Sequence, residues 1–333
     1  MDPLTQGVVG SIGATQAAKK THIVIASMLG FLSGLTPDLD VLIRSDADPL
    51  FALEFHRQFT HSLFFIPVGG VICALFFYWV FARKKLSFKY TYLFCTLGYA
   101  THALLDACTT YGTLLFWPFS LERFAWNNIS IIDPLFTLPI LVLIACNIKF
   151  KRRLLSVSAL VWALMYLSLG LIQRERAEAA GWVLAQNRGL ELTSLEVKPS
   201  FANIFVWKIV SSTKDAYYVD AVKVGVSKTL FFEGERVEKL NVVRDFPWLD
   251  QDSQQSIDIE RFRWFSNGYL AVSSNDANMI VDMRYSMLPN EVSALWGIRL
   301  DPSASKGEHV EYIEMTDDRD PAVFAKLWNM IVQ

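Results

Sequence analysis

Histidine and aspartate residues are concentrated in a few short motifs of the N-terminal half. The motifs TPDLD, HRQFTHS, HALLD and IIDP contain Asp38, Asp40, His56, Arg57, His61, His102, Asp106 and Asp133. Imidazole and carboxylate groups are the usual ligands of zinc and related divalent ions, and ionisable groups near lipid are costly unless they pair or coordinate. We therefore predict that these side chains converge on one metal site.

The spacing within two of the motifs supports this prediction. His102 and Asp106 are four residues apart, which places both on one face of a helix. A carboxylate near a helix C-terminus opposes the helix dipole, so a capping role explains Asp106 poorly. His56 and His61 are five residues apart and can converge only if a helix begins inside their motif, for example with Thr60 or Ser62 as its cap.

The remaining aspartates allow two interpretations each. Asp38 and Asp40 follow a proline, which is typical of a turn stabilised by side-chain hydrogen bonds, but paired carboxylates also bridge divalent ions. Asp133 precedes Pro134, the pattern of a helix N-cap with proline at the first helical position. A metal-binding or catalytic role for Asp133 is an equal alternative.

Long apolar segments must position these motifs. With 52% hydrophobic residues the chain belongs to the membrane class. Four segments are expected to cross the bilayer, namely 62–82, 90–106, 129–148 and 154–173. Two shorter segments rich in glycine and serine, 5–18 and 21–35, fit tilted, bundle-buried or re-entrant helices. This gives an α-helical membrane domain of about six helical segments.

Basic residues predict the orientation of these segments. Short loops with Lys and Arg face the cytoplasm, and such clusters occur at residues 19–20, 83–89 and 149–153. If the segments alternate, every His/Asp motif and everything after Arg174 lies on the outer side. The N-terminus lacks a basic region ahead of its apolar stretch, so we expect no cleaved signal peptide.

The C-terminal half has a different character. The runs IFVWKIV, YYVDAVKV, YLAVSS and MIVDMRY predict strands of an antiparallel sheet, and residues 251–263 and 321–333 are expected to be helices. The predicted fold is thus a helical transmembrane domain, 1–175, followed by a soluble, extracytoplasmic α+β domain, 176–333, with mainly antiparallel β-structure. Its role is not indicated by any catalytic motif.

Other features exclude several functions. A net charge of −2 gives no basic field for nucleic acid. The cysteines at 73, 95, 108 and 146 have the irregular spacing of buried apolar residues rather than of a zinc ribbon or a disulfide framework. His22 and His309 stand apart from the motifs and are expected to be structural or solvated.

Several ordered motifs resemble those of one protein family. MDPLTQG, LTPDLD, HRQFTHSL, HALLDACTTYGT, LLFWPF and IIDP are similar over residues 1–175 to LexA-regulated, inner-membrane-associated metal-dependent hydrolases of bacteria. That family is grouped with zinc-dependent phospholipase C. The resemblance implies a metallophosphoesterase in the bacterial inner membrane, with a phosphate contact from Arg57 and metal ligands at Asp38, Asp40, His56, His61, His102, Asp106 and Asp133.

The sequence departs from that family at one position. Many members carry histidine after the opening MDP-x-T, whereas this chain has Gln6, a much weaker ligand. Either one metal position is altered or lost, or the family histidine is not a ligand. The substrate, the oligomeric state and the number of ions are not indicated by the sequence.

The expected reaction is hydrolysis of a phosphoester in a lipid or lipid-linked molecule by a metal-activated water. Zinc suits the ligand types best, with manganese or iron as alternatives. Whichever of Asp38, Asp40 and Asp133 does not coordinate the metal would orient or deprotonate the water, and Arg57 would bind a phosphate oxygen. A different class remains open: a non-catalytic, metal-stabilised scaffold whose outer domain binds an envelope partner. A transporter fits less well, because transporters place polar groups near the bilayer midplane.

Overall fold

The computed structural model describes residues 1–226, 228–315 and 321–333. The chain divides into two compact units. A helical unit comprises residues 1–43, 55–172 and 201–203, and a sheet unit comprises 44–54, 173–200 and 204–333. The main division falls between residues 172 and 173, and segment 44–54 also belongs to the sheet unit.

Helices supply most of the N-terminal half. The α-helices there are α1 (Pro3–Gln16), α2 (Ile23–Leu35), α3 (Phe51–Phe55), α4 (Ile66–Phe77), α5 (Phe88–Cys108), α6 (Pro134–Phe150) and α7 (Arg153–Asn187). Short 3-10 turns occur at Lys20–His22, Thr36–Leu42, Phe59–His61 and Leu63–Phe65, and a π-helical turn at Tyr78–Ala82 extends α4. The turns at 36–42 and 59–61 carry three of the predicted site residues between them, Asp38, Asp40 and His61.

Three helices among the described residues are long and apolar enough to cross a membrane. They are Lys20–Leu42, Leu63–Ala82 and Arg153–Asn187. The first is longer than the predicted segment 21–35 because the 3-10 turn continues α2 to Leu42. The expected segment 129–148 is a shorter helix that begins only at Pro134, since Asp133 caps it. Membrane crossing by α5 and α6, and the tilted, bundle-buried or re-entrant position of α1, stay predictions.

Glycines allow three helices to approach one another closely. A Cβ on Gly30 of α2 would lie 2.3 Å from the carbonyl oxygen of Gly10 in α1, and one on Gly98 of α5 would lie 2.5 Å from the carbonyl oxygen of Gly30. Small residues at such crossings are typical of membrane helix packing. The close packing brings the ends of α1, α2 and α5 together, which is where the His/Asp motifs lie.

The sheet unit is antiparallel, as the sequence predicts, and its described strands form two sheets rather than one. The first has the order β1-β2-β3-β4, with strands Ser194–Pro199, Val206–Ser212, Ala216–Val224 and Thr229–Glu238. The second has the order β5-β6-β7-β8, with strands Leu270–Val272, Met279–Asp282, Trp296–Arg299 and Glu311–Glu314. Val210 and Val219 of the first sheet share a buried cluster with Ala271 and Val281 of the second.

The predicted strands correspond to β2, β3, β5 and β6, and three helices accompany the sheets. They are α8 (Val242–Asp245), α9 (Gln254–Phe265) and α10 (Pro321–Val332), of which α9 and α10 match the predicted helices. Strand β4 escapes sequence analysis because most of its side chains are exposed, so the period-two burial signal is weak.

Arg261 of α9 holds segment 44–54 within the sheet unit. Its guanidinium lies 2.6 Å from Glu54, 2.8 Å from Asp48 and 2.9 Å from Asp258. These three ion pairs raise the pKa of Arg261, with the hydrogen bond to Glu54 as the largest cause. One side chain therefore ties a segment from the N-terminal half to a helix more than 200 residues later.

Candidate metal centre

Three elements of the helical unit supply five of the six ligand residues, and the sixth, His56, directly follows α3. Asp38 and Asp40 lie in the 3-10 turn that follows α2, and His61 ends the turn Phe59–His61. His102 and Asp106 lie one turn apart on α5, as their spacing predicts. The side chain of Ser62 caps the next turn by accepting from the backbone N–H of Phe64, so a helical turn does begin inside the HRQFTHS motif.

The side chains form two groups that could each hold a metal ion. A four-residue group consists of Asp38, His61, His102 and Asp106, and a three-residue group consists of Asp38, Asp40 and His56. Within each group the ligand atoms lie within 4.8 Å of one another. Asp38 is common to both groups. The structure thus brings together six of the seven predicted ligands.

Hydrogen bonds fix the orientation of His102. Its Nδ1 lies 2.6 Å from the carbonyl oxygen of Gly34. A carbonyl only accepts, so Nδ1 carries the proton and donates it. The lone pair of the neutral imidazole is then on Nε2, which is the arrangement that second-shell partners impose on metal-binding histidines.

His61 is oriented in a comparable way. Its Nδ1 lies 2.9 Å from the hydroxyl of Thr60, which itself donates to Asp40 Oδ2 over 2.6 Å. The Thr60 proton is used on Asp40, so His61 Nδ1 is the donor to Thr60 Oγ1. The Nε2 atom of His61 therefore faces the four-residue group.

The Nε2 atoms and two carboxylate oxygens converge. His61 Nε2 and His102 Nε2 are 2.9 Å apart, and Asp38 Oδ1 lies 3.5 Å from the first and 3.2 Å from the second. Asp106 Oδ2 lies 3.4 Å and 3.8 Å from the same two nitrogens. Facing lone pairs and carboxylates repel unless a positive charge lies among them. Burial alone would lower the pKa of His61, but Asp106, Asp38 and Asp40 raise it to about 10. Either a proton on His61 or a bound cation would therefore supply the positive charge.

Asp106 has partners on its other oxygen. Asp106 Oδ1 accepts from the α-amino group of Met1 at 2.7 Å and from Gln6 Nε2 at 2.8 Å. Among the described residues, Asp106 Oδ2 and Gln6 Oε1 are buried and accept no hydrogen bond. Gln6 therefore lies beside the four-residue group, and its Oε1 accepts no hydrogen bond from the described residues.

Arg57 adopts a strained backbone conformation at the centre. Its φ is +65°, in the left-handed region that costs a non-glycine residue on the order of 1–3 kcal/mol. The conformation is held by its own N–H, which donates to Asp40 Oδ2 at 3.1 Å, and by its carbonyl, which accepts from Leu114 at 3.1 Å. Its guanidinium Nε lies 3.1 Å from Asp106, and its Cζ lies 4.8 Å from the ring centre of Tyr111. Arg57 neutralises Asp106 here, and its role as a phosphate contact stays a prediction.

His56 completes the more accessible group. Its Nδ1 lies 2.7 Å from Asp40 Oδ1, and its side chain is 21% exposed. Burial lowers its pKa. Asp38 is similarly accessible, with 26% of its side chain exposed, whereas His61, His102 and Asp106 are fully buried. Access from outside the protein is therefore through the three-residue group.

Asp133 lies outside both groups. Its carboxylate caps α6 by accepting from the backbone of Leu135 and Phe136 at 3.1 and 3.2 Å. The hydroxyl of Tyr166 donates to the same carboxylate at 2.8 Å. The capping interpretation of the Asp-Pro pair describes what the structure shows, because these contacts occupy both carboxylate oxygens.

The other singled-out residues lie elsewhere. His22 packs on Tyr90 with ring centres 5.7 Å apart, and His309 Nδ1 lies 2.8 Å from Asp258 in the sheet unit. The four cysteines are free, and all except Cys146 are buried. Sequence reasoning did not identify the Gly34 carbonyl as part of the centre, since a backbone acceptor leaves no mark on residue type.

The fold and the site define a class: a membrane protein whose helical half contains a buried His/Asp cluster able to bind a metal ion. Comparison with known proteins agrees with the membrane assignment. Residues 1–177 match the family described as YdjM inner membrane protein, and since this is more than half of the chain, the protein belongs to that family.

One curated relative is the inner membrane protein YbcI of Escherichia coli (strain K12). It is 33% identical over 109 residues, which is 31% of this chain and 60% of YbcI. The match thus covers less than two thirds of that relative. No solved structure matches the chain.

Proposed function

We propose that this protein is a membrane-bound, metal-dependent hydrolase that cleaves phosphoesters in lipid or lipid-linked substrates at the outer face of the inner membrane. The observation that carries the proposal is the convergence of two imidazole Nε2 atoms and two carboxylates, with both imidazoles oriented by acceptors on their Nδ1 side.

The geometry of the four-residue group fits zinc. Ligands bound at about 2.0–2.1 Å in a tetrahedron are about 3.3 Å from one another. Five of the six separations among the nitrogen and oxygen atoms are 2.9, 3.2, 3.4, 3.5 and 3.8 Å, and the sixth, between the two carboxylates, is within 4.8 Å. Two imidazoles with two carboxylates form a set of donors that zinc accepts readily, with manganese or iron as alternatives.

The three-residue group provides the position for chemistry. Its members are Asp38, Asp40 and His56, three ligands where a tetrahedral ion takes four, and two of them are partly exposed. A bound divalent ion lowers the pKa of its water toward about 7, which supplies a nucleophile at neutral pH. Asp38 belongs to both groups, so it would be a ligand of an ion held in either one.

The carboxylates differ in their freedom to take a proton. Asp40 already accepts from His56, from Thr60 and from the backbone of Arg57. Asp133 is occupied by its cap and by Tyr166. Asp38 is the most exposed of the three, and it would orient the attacking water if it does not itself coordinate the ion. Arg57 would contact a phosphate oxygen through the side of its guanidinium that does not face Asp106.

The competing function is a non-catalytic, metal-stabilised scaffold whose outer domain binds an envelope partner. The observation in its favour is that the four-residue group offers four ligands to one point, which is the closed set of a structural ion. Gln6 at Asp106 also favours it, because it is a weaker ligand than histidine.

The test compares His56→Ala with His22→Ala in detergent-purified protein, using elemental analysis and hydrolysis of bis(p-nitrophenyl) phosphate. A hydrolase is expected to lose activity in His56→Ala while it retains the ion of the four-residue group, and His22→Ala should behave as wild type. Wild-type protein that contains metal but hydrolyses no phosphoester would support the scaffold instead.

A further inference from the structure

An apolar groove lies directly beside the three-residue group. It is a cavity of about 230 Å³, and its apolar wall includes Leu39, Ile43, Phe59, Phe65 and Ile72. Asp40 and Thr60 line the same cavity. A carboxylate of the three-residue group and an apolar surface therefore line one cavity within the helical unit.

The groove is continuous with the lipid-facing side of a membrane-crossing helix. Ile72 lies in the span Leu63–Ala82 and is 53% exposed, as are its apolar neighbours on that helix, Val68 at 49% and Leu75 at 48%. Leu39, at the end of the span Lys20–Leu42, is 59% exposed. Apolar side chains exposed on membrane helices face lipid, so the groove is open to the hydrocarbon of the bilayer.

Gly69 is necessary for the shape of the groove. A Cβ at residue 69 would lie 2.3 Å from Cζ of Tyr99, so only glycine allows that ring to lie against α4 and form part of the wall. The Tyr99 hydroxyl donates to the carbonyl of Thr60 at 2.7 Å. Tyr99 thus connects the apolar wall with the turn that carries His61.

We propose that this groove binds one hydrocarbon chain of a membrane-embedded phosphoester, with the phosphate at the Asp38/Asp40/His56 end. The inference rests on the proposed function. It adds the position of the substrate's hydrocarbon chain and a specificity-determining residue, Ile72. The volume is below the roughly 300–1,000 Å³ of sites that enclose a whole drug-sized ligand. It suits the first part of a single chain, while the remainder stays in the bilayer.

The test uses Ile72→Trp, which fills the groove, and Leu75→Trp as the matched control, one helical turn away, similarly exposed and outside the groove. Hydrolysis of the p-nitrophenyl ester of phosphatidic acid in mixed micelles is compared with that of water-soluble bis(p-nitrophenyl) phosphate. We expect Ile72→Trp to lower kcat/KM for the phosphatidic acid ester at least tenfold relative to kcat/KM for bis(p-nitrophenyl) phosphate. We expect Leu75→Trp to leave both values unchanged. Equal ratios in the two variants would overturn the proposal.

A binding measurement separates failure of the groove from failure of the hydrolase. Phosphatidylglycerol with a diazirine on its acyl chain is photo-crosslinked to the full chain in nanodiscs of phosphatidylethanolamine and phosphatidylglycerol. The groove predicts saturable labelling within residues 39–43 and 59–72 that Ile72→Trp reduces and Leu75→Trp does not. Labelling spread evenly over the apolar face of α4 would refute it, whether or not wild type hydrolyses either ester.

Discussion

The Nε2 atoms of His61 and His102 lie 2.9 Å apart inside the helical unit. Each ring has its Nδ1 proton directed at an acceptor, His102 to the Gly34 carbonyl and His61 to Thr60. Two neutral imidazoles so oriented would place their lone pairs against each other beside two carboxylates. This pair therefore requires a positive charge between the rings, and its nature decides the function of the centre.

Replacement of either histidine tests whether that charge is a metal ion. We expect wild-type protein to contain at least one equivalent of divalent metal, and His61→Ala and His102→Ala each to lose the ion of the four-residue group. The reason is that a tetrahedral site with three remaining ligands, one of them shared, binds far more weakly. Elemental analysis of protein purified without added metal gives the measurement.

His309→Ala serves as the control, because His309 pairs with Asp258 in the sheet unit and is expected to leave metal content unchanged. If wild-type protein holds no metal even after incubation with zinc, the charge is a proton on His61, and both the hydrolase and the metal-stabilised scaffold are wrong.

The sequence was sufficient to predict which side chains lie together in the candidate centre, with one exception. Six of the seven predicted ligands come together. The reason is that a histidine or aspartate near lipid is costly in free energy unless it pairs or coordinates. Asp133 could not be assigned, since an N-cap and a ligand present the same residue type, and only the position of Tyr166 distinguishes them. In the sheet unit, β4 and the contacts of Arg261 depend on packing between distant segments, which short-range patterns do not contain.

Asp133 should be structural. Asp133→Asn retains a good N-cap and is expected to keep metal content and activity. Asp133→Ala removes the cap and leaves the hydroxyl of Tyr166 without this acceptor, which should cost about 2–3 kcal/mol of stability. Thermal unfolding in detergent, with metal content measured in parallel, checks both outcomes. Loss of metal in the folded Asp133→Asn variant would restore Asp133 to the ligand set.

Gln6 should support metal binding through Asp106. Its Nε2 hydrogen bond holds the carboxylate that faces the two histidines. Loss of such an outer partner typically costs 10–100-fold in metal affinity, and we expect that range for Gln6→Leu. Gln6→His should bind zinc at least as tightly as wild type. Competition with a zinc-sensitive dye gives the affinities.

Gln16→Leu is the matched control for that measurement, because Gln16 lies on the same helix and contacts Ser156 instead. An affinity of Gln6→Leu equal to that of Gln16→Leu would show that Asp106 needs no support from α1.

Arg261 should contribute more to the stability of the sheet unit than Arg263, its neighbour on α9. Arg261→Leu leaves Asp48, Glu54 and the fully buried Asp258 without their shared cation, and breaking such a pair costs about 3–5 kcal/mol when it is buried. Since Arg261 itself is 18% exposed, we expect a value at or below the lower end. Arg263→Leu, which removes only the surface pair with Glu260, should change stability by less than about 0.5 kcal/mol. Equal unfolding curves for the two variants would contradict this role.

Because of Lys208, the sheet unit should be more stable in mild alkali than at neutral pH. Its side chain is buried, with Nζ bonded to the hydroxyl of Ser286 at 2.7 Å and to the carbonyl of Glu291 at 2.9 Å. Burial lowers its pKa to about 7, although the negative charge of Asp282 opposes that shift. Below about pH 7 the ammonium is charged in both folded and unfolded chains, so the full cost of burying it is present. As the pH rises from 7 toward the unfolded pKa near 10.4, only the folded chain loses the proton, and stability increases by up to about 1.4 kcal/mol per pH unit.

Lys208→Met removes this dependence while it keeps a flexible apolar side chain of similar length. We therefore expect the stability difference between wild type and Lys208→Met to shift in favour of wild type as the pH rises from about 7.5 to about 9.5. Lys214→Met, which replaces an exposed lysine, should show the same dependence of unfolding free energy on pH as wild type. The measurement is denaturant unfolding of the full chain in detergent, followed by tryptophan fluorescence, at each pH. A difference that is constant across this range would mean that Lys208 keeps its proton in the folded protein, with Asp282 and the two oxygen acceptors sufficient to hold the charge.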